Sequence, residues 1–123
     1  MKANLQRRAH FSATLRRACL AVVLAGASGL PAVADCYDVF GCTDRNVFRL
    51  NDLLSGPSCE FLYEMRNGIY ADHHLCFKTA RAIRTYGNAG CISYDPNAIG
   101  MSSLEFANAG TILQAEKTKS CPL

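Results

Sequence analysis

The sequence predicts a small, mainly α, disulfide-stapled domain of about three to four short helices with long loops. Three observations lead there. Six of the seven cysteines lie after residue 34, at Cys36, Cys42, Cys59, Cys76, Cys91 and Cys121, and an even number in a short exported chain reads as a disulfide framework. Apolar residues recur at helical spacing behind residues that cap helices well. No segment sustains the period-two alternation of a half-buried strand.

The export reading rests on the first 34 residues. Met1 to Arg17 is basic and free of acids, Ala18 to about Leu30 is apolar, and Ala32-Val33-Ala34 places small residues before Asp35. That order is the layout of a secretory signal peptide. Arg7-Arg8 and Arg16-Arg17 sit in surroundings that fit a twin-arginine motif poorly, so ordinary secretion is expected. Cleavage before Asp35 leaves 89 residues with 8 basic and 10 acidic side chains, so the +3 of the whole chain becomes −2. The remaining bases are scattered, and no run tracks phosphates, so nucleic acid is not an expected partner. No second apolar segment follows the leader, and no membrane insertion of the mature chain is expected. Asp35 before Cys36 also puts a charge where a lipobox needs a small residue.

Residues 35–57 are expected to form an N-terminal loop and a short helix, and 58–122 the main helical domain. Asp35 to Asp44 reads as loop. Thr43 or Asp44 would cap a helix carrying Val47, Phe48, Leu50, Leu53 and Leu54 near one face, ended by Ser55-Gly56-Pro57. The strongest helix runs from about Cys59 to His74, with Ser58 as cap and Glu60 favourable to the dipole. Its buried stripe is Leu62, Met65 and Ile69, with Phe61 beside it and Gly68 costing about 1 kcal/mol relative to Ala. A shorter helix fits Thr79 to Tyr86, capped by Thr79 and stopped by Gly87. Residues 87–101 are rich in Gly, Asn, Asp and Pro and read as loop. Ser102-Ser103-Leu104-Glu105 forms a capping box that opens a last helix to about Lys119. Its inner face would be Phe106, Ala109, Ile112, Leu113 and the aliphatic stem of Glu116, with Lys117 and Lys119 favourable near its end.

Six cysteines allow fifteen connectivities. Local closure favours Cys36–Cys42; Cys76–Cys91 would tie the end of the first long helix to the loop after the next, and Cys59–Cys121 would then join the two ends. The spacings offer no CxxC pair, so neither a zinc site nor a redox pair at a helix start is expected. A bridge closing a ~15-residue loop contributes about 3 kcal/mol in the chain-entropy model.

Phe61-Leu62-Tyr63-Glu64-Met65-Arg66-Asn67-Gly68-Ile69-Tyr70-Ala71-Asp72-His73-His74-Leu75-Cys76-Phe77-Lys78 resembles the YARHG domain. That small extracellular bacterial module is named for a Tyr-Ala-Arg-His-Gly signature following an Arg-Asn-x-Ile segment. Tyr70, Ala71 and His73 match the signature; Asp72 stands where the arginine would be, and His74 where the glycine would be. The continuation Phe77 to Ile83, then Gly87 to Cys91, and the closing Cys121-Pro122 are similar to the cysteine-containing branch. The likeness spans roughly residues 58 to 122 and implies an exported, envelope-associated domain without established catalytic residues.

Asp72, His73, His74 and Cys76 are the one cluster resembling an active site. A Cys–His nucleophile there needs Cys76 unbridged and a third group to orient His73. The plainer reading is a polar helix end with a histidine near the C-terminal dipole. Arg66 and Asn67 interrupt an amphipathic helix. Arg66 could grip a carboxylate or sugar ligand with its planar fork, or tie the helix to loop carbonyls or to an acid such as Asp95. Tyr63, Tyr70, Tyr86 and Tyr94 could form a glycan-binding surface or edge the core. The reading is therefore a non-enzymatic module that binds a cell-envelope component or an envelope protein. Arg66, Asn67, Tyr70 and His73 are its candidate surface, with no catalytic residue, metal or cofactor. One rival is an inhibitor-like secreted protein docking the loop Gly87 to Gly100 through Tyr94 or Asp95. The other is a small hydrolase or thiol enzyme using His73 with Cys76.

Overall fold

A computed structural model describes residues 34–123. The leader expectation, residues 1–34, lies outside the described residues except for Ala34. The described chain runs as a hairpin of two-residue strands, β1 (Cys36–Tyr37) and β2 (Gly41–Cys42), then α1 (Leu50–Ser55), α2 (Cys59–Asp72), α3 (Ala80–Tyr86), a 3₁₀ turn at Pro96–Ala98, and α4 (Ser103–Thr118). The class is mainly α, as expected, with three disulfides.

Three helices begin where their caps place them. The hydroxyls of Ser58, Thr79 and Ser102 accept the backbone N–H of Phe61, Ala82 and Glu105 respectively, satisfying donors that a helix start leaves unpaired. Glu105 completes the capping box by accepting the Ser102 N–H at 2.8 Å. Helix α1 departs from expectation. It starts at Leu50, and its N-cap residue Arg49 makes no side-chain cap. Thr43 is buried and Val47 points outward at 72 % exposure. The reason lies in α4: Asn108 holds residues 43–48 in a non-helical loop. Its Oδ1 accepts from the Phe48 N–H at 2.9 Å, and its Nδ2 donates to the carbonyls of Thr43 and Asn46, both at 2.8 Å. Residues 35–44, expected as loop, close into the hairpin, with Cys36 opposite Cys42. Gly41 permits this turn at φ +83°, where an added Cβ would lie 2.5 Å from the Asn46 side chain.

The core lies where α2 and α1 pack on α4. Leu53, Leu62, Met65, Ile69, Ala109, Ile112 and Ala115 are essentially without solvent contact, and Phe48 and Cys121 close its edges. The stripe Leu62, Met65 and Ile69 is as expected. The inner face of α4 is rotated from expectation: Glu105 and Asn108 are buried beside the expected Glu116, while Phe106 and Leu113 are only half-buried. Each of those polar residues has a partner across the core, which is the condition for burying it.

The disulfides are Cys36–Cys42, Cys59–Cys121 and Cys76–Cys91, separated by 6, 62 and 15 residues. The second staples the start of α2 to the segment after α4. The third ties the end of α2 to the loop after α3, where Leu75 and Ser93 also form a parallel bridge. Among the described residues no helix is long and apolar enough to cross a membrane.

Candidate functional site

The candidate residues lie along α2, and the structure divides them between separate tasks. Arg66, Tyr70 and His73 share one face at helical spacing, and that face meets α4. Arg66 Nε donates to Glu116 Oε2 at 2.5 Å and Nη2 to Oε1 at 3.3 Å. The Glu116 side chain has no exposure and that of Arg66 has 15 %. Two turns further on, His73 Nε2 lies 2.7 Å from Glu105 Oε1. Burial pushes the Glu105 carboxyl up, but hydrogen bonds from His73 and Ser102 outweigh this and leave it below its ordinary range. Tyr70 packs between these pairs against the core. The antiparallel helices are thus joined by polar pairs near both ends of α4, at the middle and the C-terminal end of α2, with apolar contacts between.

Arg66 therefore takes the structural role, with Glu116 rather than Asp95 as its acid. Asp95 instead caps the 3₁₀ turn through the Asn97 N–H. Asn67 is buried and donates to the Tyr63 carbonyl at 2.9 Å. Arg66 and Asn67 line a cavity of about 220 Å³ with Tyr63, Thr79, Arg81 and Leu113. The Arg81 guanidinium stacks 3.5 Å over the Tyr63 ring and its Nη2 lies 2.5 Å from Glu60. A larger cavity of about 390 Å³, walled by Val39, Phe40, Gly56, Pro57 and Phe61, is mostly apolar, with Asp52 at its edge.

The Asp72–Cys76 cluster does not converge. Cys76 is bonded to Cys91, so its sulfur is not a thiol nucleophile. His73 does have an orienting carboxylate, Glu105, which sequence spacing could not reveal across 32 residues. Burial, then the neighbouring charge of Asp35, pushes the Asp72 carboxyl up to about 6. His74 is exposed at φ +60°. It sits just past the C-cap of α2, where its N–H reaches the Ala71 carbonyl and the Leu75 N–H reaches the Tyr70 carbonyl, the paired bonds of a Schellman motif. This left-handed position favours glycine, which gives the signature's glycine a physical role and makes His74 a strained replacement. Among the described residues, no three His, Cys, Asp or Glu side chains converge to hold a metal ion.

Of Tyr63, Tyr70, Tyr86 and Tyr94, the first three edge the core. Tyr63 is buried, Tyr70 packs on the core, and Tyr86 stacks on Phe77 while donating to the Glu64 carbonyl. Tyr94 is 56 % exposed, with Ile92 63 % exposed two residues before it and the Lys78 ammonium 5.8 Å over its ring. The loop carrying them is fixed by Cys91 and by Asn88, whose side chain bonds both the N–H and the carbonyl of Phe77.

No curated protein and no solved structure matches this chain. The family model of the YARHG domain matches residues 43–117. The match starts within the segment before α1 and takes in α1, α2, α3 and most of α4, so it covers the packed core and the signature helix together. The chain belongs to the YARHG domain family.

Proposed function

We propose that this chain is an exported, non-enzymatic, disulfide-stabilised module of the bacterial cell envelope that binds an envelope component or an envelope protein. Three disulfides suit an oxidising compartment, and the family fits an extracellular or periplasmic domain. The leader's basic, apolar and small-residue order supports export before Asp35. The observation that carries the binding reading is the division of the surface. Arg66 and His73 are engaged within the domain by Glu116 and Glu105, while Ile92 and Tyr94 remain exposed on a loop held by Cys76–Cys91, with Lys78 from the segment before α3 over the Tyr94 ring. Exposed aromatic and aliphatic side chains on a rigid loop suit docking, because little conformational entropy is lost on binding.

The binding face is therefore this loop, rather than the signature helix that the sequence brings forward. The test is retention of the oxidised protein on isolated cell-wall sacculi and on envelope protein fractions, with wild type beside Tyr94→Ala and Ile92→Ser. Retention lost in both variants, with unchanged thermal unfolding, supports the reading. Absence of retention on every fraction, or retention indifferent to both substitutions, overturns it. The same exposed pair favours one second reading, an inhibitor-like protein docking its stapled loop into a partner's cleft. Saturable binding to a single enzyme, with loss of that enzyme's activity, distinguishes it.

A further inference from the structure

Asp72 is the unresolved charge of this domain. Its Oδ2 is buried and has no hydrogen-bond partner, although an isolated carboxylate is costly to bury. The groups whose charge bears on it are the Asp35 carboxylate from the N-terminal segment, His73 beside it on α2, Glu105 of α4, and the phenols of Tyr37 and Tyr86. Three of these groups, counting Asp72, are carboxyls. His73 is the single basic group among them, and its Nε2 is already engaged by Glu105. A positive charge is missing.

The N-terminal segment passes beside this carboxylate, with Asp35 Oδ2 against Gly68, one turn before Asp72 on α2. The Asp35 backbone N–H favours the ionised form of Asp72, so its nitrogen is the candidate atom. Asp35 is held there on several sides. Its carbonyl accepts the Thr43 N–H at 3.0 Å, the Tyr37 hydroxyl lies 3.4 Å from its Oδ2, and the next residue is locked by Cys36–Cys42. Gly68, one turn before Asp72, leaves room for this approach: an added Cβ would lie 3.1 Å from Asp35 Oδ2. While residue 34 is attached, the Asp35 nitrogen is an uncharged amide. Hydrolysis of the Ala34–Asp35 peptide bond consumes one water, leaves a carboxylate on the leader and turns that nitrogen into an α-ammonium.

We propose that cleavage before Asp35 completes the fold electrostatically, the released α-ammonium of Asp35 pairing with the carboxylate of Asp72. The pairing rests on the export reading above for its cleavage point. It makes the domain an N-terminus receptor for its own processed end. The burial that pushes Asp72 up to about 6 is then offset by an opposite charge, which favours ionisation. The α-ammonium in turn is held above its ordinary range of about 7.7–8.0.

Two processed forms test this. One begins at Asp35; the other comes from a leader whose cleavage site is moved so that Ala32-Val33-Ala34 stay attached. Carboxyl-carbon NMR follows Asp72 in each, and a second titration follows the terminal amine. In the form beginning at Asp35, Asp72 is expected to titrate lower by at least about one pH unit, a tenfold change in proton affinity. Its amine titrates above that of the extended form, and Asp72→Asn removes the amine's shift while the disulfides still form. Equal Asp72 titration in the two forms overturns the pairing. Intact mass of the naturally exported product judges the cleavage point separately: a product beginning elsewhere sinks the export assignment, while the titrations still decide whether the two groups pair.

Discussion

Arg66 and Glu116 meet across the α2–α4 interface with the carboxylate fully enclosed, and they are 50 residues apart in the chain. A buried ion pair is expensive to form, because both charges lose their hydration, and still more expensive to break, because one is left unpaired. The pair is therefore felt more when one partner is lost than when both are replaced together.

Removing one partner exposes that asymmetry. Arg66→Met and Glu116→Leu are each expected to destabilise by about 3–5 kcal/mol, read as a fall in the urea midpoint. The double substitution should recover most of the loss, since an apolar pair removes both unpaired charges. Single losses that simply add in the double variant would show that the two charges do not compensate each other.

Asn108 carries a comparable weight in a neutral form. Its amide meets three backbone groups of residues 43–48, and Asn108→Ala strands all three in or beside the core. An expected loss of about 2–4 kcal/mol follows, at roughly 1–3 kcal/mol for each buried group left unpaired, partly relieved by water. The local signature is fast hydrogen exchange at the Phe48 amide while amides in the middle of α2 stay protected. Unchanged Phe48 protection would mean that the loop holds its shape without the clamp.

What the sequence made legible divides along chain distance. Ser58, Thr79 and the Ser102–Glu105 box act on groups within three residues, so their patterns identify the helix starts directly. Leu62, Met65 and Ile69 declare the buried face of α2 through their period, and local closure favours Cys36–Cys42. Glu105 and Asn108 were not legible as buried residues, and Glu116 was legible only by its stem, not by its enclosed carboxylate. Polar side chains on a helix ordinarily face water, and their partners lie 32 to 65 residues away. The same gap hid the start of α1, because Thr43 resembles a cap until Asn108 holds its carbonyl. Arg66 stood out correctly as unusual in an amphipathic helix, yet only the fold could show that Glu116 absorbs its charge.

The Cys59–Cys121 bridge is expected to matter most among the three. Chain entropy scales with the closed loop, and this one spans 62 residues against 15 and 6. The model gives about 4 kcal/mol for it and about 2 kcal/mol for the hairpin bridge. Paired serine substitutions should therefore lower thermal midpoints in the order Cys59/Cys121, Cys76/Cys91, Cys36/Cys42. A reversed order would place the stabilisation in the native state rather than in the unfolded chain.

Acid should weaken the other end of the α2–α4 interface. Hydrogen bonds hold Glu105 below its ordinary value of 4.5. Its ionised form therefore contributes stability that is present above about that pH and lost as pH falls through the folded value. Glu105→Gln keeps the side-chain shape without the titration. The variant is expected to be less stable than wild type at pH 6, with the difference shrinking below pH ~4. A constant gap from pH 6 to pH 3 would show that the carboxylate charge at Glu105 contributes nothing.

His74 offers the reverse experiment, a substitution that should stabilise. At φ +60° its Cβ crowds the backbone, at a cost of about 1–2 kcal/mol for an L-residue in the left-handed region. The two Schellman hydrogen bonds keep it there because they satisfy carbonyls at the end of α2. His74→Gly removes the crowding, while the freer unfolded chain takes back part of the gain. The net expectation is about 0.5–1 kcal/mol of added stability. His74→Ala keeps the Cβ and should give no such gain, so the pair separates backbone strain from loss of the imidazole. Equal midpoints for the two variants would assign any change to the ring, and the left-handed position would then explain nothing about why glycine stands in the family signature.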